Sequence, residues 1–111
     1  MTTTTTPDVR LPAGAESRDD WQPRTPMPYR VIGSPNRALP GKPDEEILVW
    51  NNAVQWADGS IDDDGLIEAP NVSVHGVYWK RGLSSAEARE LAAVLIECAD
   101  KIDGWARVGN G

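Results

Sequence analysis

Phenylalanine is absent, cysteine and histidine occur once each, and eight of the nine prolines lie at or before Pro43. Each scarcity excludes something. Cys98 alone forms no intramolecular disulfide, and with only His75 to accompany it no Cys/His spacing supports a structural zinc. His75 is the one natural candidate for acid–base work near neutral pH, with Ser73 and Cys98 as nucleophiles on paper. No elbow-type or papain-type motif surrounds either nucleophile, so catalysis is not expected. Neither G-x-x-x-x-G-K-[ST] nor G-x-G-x-x-G occurs, which removes the loops that cradle phosphates and leaves no expected cofactor or small-molecule substrate. No apolar run approaches the roughly 18 residues of a membrane span, and MTTTTTPDVR lacks the apolar stretch of a signal peptide, so a cytoplasmic protein is expected.

The prolines divide the chain. Residues 1–20 carry five consecutive threonines and no apolar periodicity, and read as a flexible tail. Residues 21–43 intersperse Trp21, Met27, Tyr29, Val31, Ile32 and Leu39 among prolines and basic residues, a composition for an extended arm. Such an arm either packs on its own domain, with Tyr29 to Ile32 as an edge strand, or captures another protein. Residues 44–111 then form the compact α+β domain, small enough to need outside cover.

The net charge of −6 is unequally shared. Residues 1–43 hold six Arg/Lys against four Asp/Glu, whereas residues 44–111 hold five against thirteen. An acidic body repels phosphate and argues against nucleic acid as a partner, while it suits a basic protein surface.

In residues 47–56, ILVWNNAVQW, period-two alternation places Leu48, Trp50, Val54 and Trp56 on one face, read as the buried one. Asp58-Gly59 then predicts a tight hairpin turn, with a return strand from Ser60 that points Ile61 and Ile67 inward. A further strand is expected over Asn71 to Lys80, where a bulge at Gly76 would bring Val72, Val74, Val77 and Trp79 to one side. The C-terminal helix is signalled by a capping box, Ser84 with Glu87, and by Gly104 as its stop. Ala88, Leu91, Ala92, Leu95, Ala99 and Ile102 form its stripe, which Val94, Ile96 and Cys98 widen to an arc of roughly 200° that one sheet does not cover. These elements predict a sheet of three to four antiparallel strands packed on one C-terminal helix, with an extended proline-rich arm.

Asp58, Asp62, Asp63, Asp64 and Glu68 invite a calcium reading, but placing Gly65 at the glycine of an EF-hand loop leaves Asn71 where a bidentate carboxylate is required. No metal is expected. Five tryptophans are the unusual feature. Trp50, Trp56 and Trp79 suit a core short of other large rings, whereas Trp21 and Trp105 lie outside the strongest periodic elements and read as interface anchors. With Tyr29, Val94 and Ile96 they are the candidate partner-binding residues.

The helix LSSAEARELAAVLIECAD, the ADGSI turn and the upstream LPAGAESRDDW together resemble small proteins of actinobacteria, mycobacteria above all, and of their phages. The resemblance covers about half the chain and implies a hairpin-and-helix fold with an accessory role, and it transfers no catalytic residue. The expected function is a non-catalytic interaction module, binding a host protein or a second copy of itself. The alternative is an acidic inhibitor or DNA mimic that presents Asp44, Glu45, Glu46 and Asp62 to Asp64 to a basic surface.

Overall fold

The computed structural model describes residues 7–24, 26–39, 47–76 and 82–110. The expected α+β architecture is present, an antiparallel sheet against one C-terminal helix, with five strands in place of three or four. The extra strands are the short β1 (Glu16–Ser17) and β3 (Arg37–Leu39), which accompany β2 (Tyr29–Gly33), β4 (Ile47–Trp56) and β5 (Asn71–His75).

β4 is the central strand. Its residues Leu48 and Val49 pair with β3 and with β5, and Asn52 pairs with β2 and with β5, so β2 and β3 line one edge and β5 the other. The β2–β3 edge contains a bulge. Between the pairs Gly33↔Asn52 and Arg37↔Val49, three residues on one side face two on the other. Ser34 mends the break: its N–H donates to the Asn51 carbonyl at 3.3 Å and its Oγ accepts the Asn51 N–H at 2.9 Å. Gly33 is required there, because a Cβ would collide with the Asn51 carbonyl and the Arg18 guanidinium.

The Asp58-Gly59 turn forms as expected, with Gly59 at φ 92° and the Trp56 N–H donating to the Ser60 carbonyl at 2.8 Å. The return strand does not. Pairing stops after the single bridge Gln55↔Ile61, and the chain loops through residues 62–70 before β5 restores the edge. The cause is Asp62, whose carboxylate turns inward and gathers the backbone N–H groups of Leu66, Ile67 and Glu68, an arrangement incompatible with an extended chain. At Gly76, φ is 93° immediately after β5, and the expected partners of a bulge there, Val77 and Trp79, lie outside the described residues.

Helix α1 (Ser85–Asn110) begins at the expected capping box. Ser84 Oγ accepts the Glu87 N–H at 3.1 Å, and Glu87 Oε1 accepts the Ser84 N–H at 3.0 Å. Gly104 does not end it. The apolar spacing continues through Trp105 and Val108, and Asn110 then clasps the sheet, its Oδ1 accepting the Ile61 N–H and its Nδ2 donating to the Ile61 carbonyl. The buried stripe is Val94, Cys98, Ile102 and Trp105. Ala88, Ala92 and Ala99 face outward, because the seam follows the larger side chains spaced four, four and three apart.

The helix covers the face of β4 that carries Ile47, Val49 and Ala53; on the other face Val54 and Trp56 are buried as expected, whereas Leu48 and Trp50 are half-buried. Around the middle of the helix, Val94 and Cys98 pack on Leu39, Ile47 and Val49, and toward its end Trp105 packs with Ile32, Ala53 and Ile61. Alternation pointed to the other face because Asn51 and Gln55 interrupt this one. Both are nonetheless buried. Gln55 is satisfied by the Arg30 guanidinium and the Arg10 carbonyl. The Asn51 side chain makes no hydrogen bond among the described residues, and nothing in the structure accounts for a polar residue there.

The division into tail, arm and domain is corrected. Residues 9–18 are part of the body: β1 pairs with β2, Leu11 and Ala15 pack on the cluster of Ile32, Ala53, Ile61 and Trp105, and the Val9 and Arg10 carbonyls accept from Arg30 and Gln55. β2 is an inner strand between β1 and β4. One sheet therefore joins all three segments, and the outside cover that the wide helix needs is supplied by the chain's own N-terminal part.

Candidate functional site

Of the five candidate partner-binding residues, Val94 and Trp105 are taken up by the core, at 7% and 4% exposure. Trp105 is an anchor, but an internal one: its Nε1–H donates to the Ala13 carbonyl at 3.0 Å and holds the N-terminal segment against the helix. Trp21 and Tyr29 are half-buried. The Arg30 guanidinium lies 4.5 Å from the Trp21 ring centroid, and Tyr29 meets Trp56 edge to face at 6.0 Å. Only Ile96 stands clear, at 63% exposure, and its neighbours on the outer face are alanines and charged residues. A single exposed aliphatic of this kind is ordinary surface.

The nucleophile and base candidates are held apart. Val72 packs toward the helix, so Ser73 and His75 point to the opposite face of the sheet, whereas Cys98 is buried beneath the helix. Ser73 Oγ accepts from the Asn52 amide at 2.8 Å. Burial pushes the Cys98 thiol pKa up, which keeps it protonated and a poor nucleophile.

Concavities flank the helix end among the described residues: an open one of about 450 Å³ between Asp63, Asp103, Ala106, Arg107 and Asn110, and two with larger apolar side chains in their walls. The first of these two, of about 380 Å³, lies between Pro26, Met27 and Trp56 on one side and Ser60 to Leu66 on the other. Asp63 and Asp64 are exposed at its rim. Asp62 is 3% exposed and turned away from any partner, with donors at 2.8 Å from Leu66, 2.6 Å from Ile67 and 2.9 Å from Glu68. Burial alone would raise its pKa, but the backbone donors of Ile67, Glu68, Leu66 and Gly65 outweigh burial and hold it below the usual carboxylate value.

That balance fixes a pH dependence. The ionised Asp62 stabilises the fold fully above the unfolded-chain value of about 3.9 and loses this contribution as pH falls through the depressed folded value. Asp62→Asn is expected to destabilise the protein by about 1.5–3 kcal/mol at neutral pH. Urea midpoints of both proteins, taken at neutral and strongly acid pH, should converge in acid; a gap of constant size would show that the charge is not what holds the loop.

The second of the two, of about 300 Å³, is a predominantly apolar groove between Pro12-Ala13 and the last turns of the helix. Trp105 and Val108 line it, and Val108 is 81% exposed. Gly104 makes the space: a Cβ at this position would meet no atom within 4 Å. Lys101 and Arg107 complete the lining. Each is three residues from Gly104, hence about one turn below or above it and about 60° to either side. Neither makes an ion pair among the described residues.

The sequence pointed to Trp105 but not to the groove beside it. The available signal was the continuation of apolar spacing past Gly104 to Val108, which marks a glycine inside a helix and not after it. Among the described residues no group of three or more His, Cys, Asp or Glu is placed to hold a metal ion, and no helix is long and apolar enough to cross a membrane. The chain matches no protein-family model, no curated protein and no solved structure.

Proposed function

We propose that the protein is a non-catalytic interaction module that docks a partner protein in the groove at Gly104. The observation that carries this reading is the glycine itself. Glycine inside a helix costs about 1 kcal/mol relative to alanine, and here no packing against the protein's own atoms returns it. What it leaves open is an apolar surface beside a buried tryptophan, with an exposed valine at its edge. The accessory role and the origin in actinobacteria or their phages belong to the same proposal and rest on the resemblance of the helix and turn, while the cytoplasmic setting rests on the want of any apolar run of membrane-spanning length.

Gly104→Leu tests the docking. Leucine favours the helix by about 0.5–1 kcal/mol over glycine and finds open space, so the variant should fold at least as stably as the parent while filling the groove. Quantitative co-precipitation should recover a partner with the parent chain and lose it with the variant. Equal recovery by both would end this reading.

A second reading, an acidic inhibitor of a basic surface, is favoured by the rim of the other cleft, where exposed Asp63 and Asp64 flank Trp56. Asp62 is removed from that surface by its internal bonds, and Asp44 to Glu46 lie outside the described residues. Binding there would weaken steeply with salt, whereas docking in the apolar groove would leave a salt-resistant component.

A further inference from the structure

We infer that the groove at Gly104 selects an apolar side chain with a carboxylate beside it, the chemistry of an acidic, leucine-type segment of a partner polypeptide. This rests on the docking reading above and goes on to name what is docked. The walls decide the first half of the specificity. Pro12, Ala13, Trp105 and Val108 offer almost no hydrogen-bonding group, since the one polar atom of the indole is already donated to Ala13. At about 300 Å³ the groove lies at the bottom of the range for ligand sites, enough for one branched or aromatic side chain and too small for a long acyl chain.

The cations decide the second half. Lys101 lies along the N-terminal segment, its ammonium 3.5 Å from where a Cβ of Gly14 would be, and Arg107 stands on the other side of Gly104. Both are exposed and without an ion pair among the described residues, unlike Arg37, which is tied to Glu97. Asp100 and Asp103 do not line the groove, although Asp103 shares a neighbouring concavity with Arg107, which leaves Lys101 as the cation farther from a carboxylate of the helix end. An apolar slot with an unpaired cation on each flank, on a chain of net charge −6, is complementary to an anion attached to an apolar group.

The test is a titration of the full isotopically labelled chain, following the Trp105 indole N–H resonance, with three capped peptides. One carries a leucine between two aspartates, one a leucine between two lysines, and one a glycine between two aspartates. The first should shift the indole signal saturably and bind at least about tenfold more tightly than either of the others. Gly104→Leu should abolish the saturable shift, and the double variant Lys101→Glu with Arg107→Glu should transfer the preference to the lysine peptide. If both leucine peptides bind alike and Gly104→Leu blocks both, the groove is a docking site and the acid preference is wrong. If none of the peptides moves the indole signal, the docking reading falls with it. Concentration-dependent dimerisation that Gly104→Leu abolishes, seen by light scattering on the same samples, would make a second copy the occupant and overturn the peptide assignment.

Discussion

Trp105→Ala is expected to destabilise the protein by about 3–5 kcal/mol, the cost of removing a large aromatic from a packed core. The residue is 4% exposed, packs with Ile32, Ala53 and Ile61, and is bonded to the main chain of a segment 92 residues away. Its loss should therefore do more than lower the urea midpoint. Residues 9–18 should become cleavable by protease before the rest of the chain, because Leu11 and Ala15 lose the surface on which they lie. Trp105→Phe separates the two contributions: it keeps most of the ring and removes the N–H, and should cost about 1 kcal/mol, the net worth of one hydrogen bond. A Trp105→Ala protein as stable and as protease-resistant as the parent would show that the N-terminal segment is held by β1 and Arg30 alone.

Val49→Asp is the second large effect. Val49 has no exposed surface, sits in the central strand between β3 and β5, and touches the first half of the helix. Arg37 stands opposite Val49 on β3 but is tied to Glu97, so the carboxylate would be buried without a free cation or the core opened, at several kcal/mol in either case. Since small domains hold about 5–15 kcal/mol of total stability, the expected result is loss of strand and helix signals together in circular dichroism. Retention of sheet with a melted helix would contradict a single cooperative unit. Leu95→Asp is a milder probe of the same point, because Leu95 is only half-buried beside that cluster.

What could be read from residues alone was mostly local. The capping box and the turn at Gly59 rest on interactions within a few residues, and both appear at their expected positions. The choice of face in β4 depended on distant segments. Gln55 looks like a solvent-facing residue until Arg30 and the Arg10 carbonyl arrive to satisfy it. Likewise the acidic run reads as a solvated loop, and nothing in its composition singles out Asp62 as the one that turns inward. Gly104 failed for a different reason. The rule that glycine follows a helix describes a frequency, and here the apolar spacing beyond it carried the contrary information. Trp105 reads as an interface anchor because its partners, Ala13 and Ile32, lie far from it in the sequence. The groove was out of reach of any local pattern, since one of its walls comes from residues 12 and 13.

The bond between Ala13 and Trp105 also bears on how the molecule assembles. A polypeptide emerging from the ribosome presents Ala13 long before the indole that donates to it exists, so closure of this contact waits until the end of the helix has been made. Nonlocal closure of this kind slows folding relative to helical proteins of similar size and lengthens the interval during which strand edges stand bare.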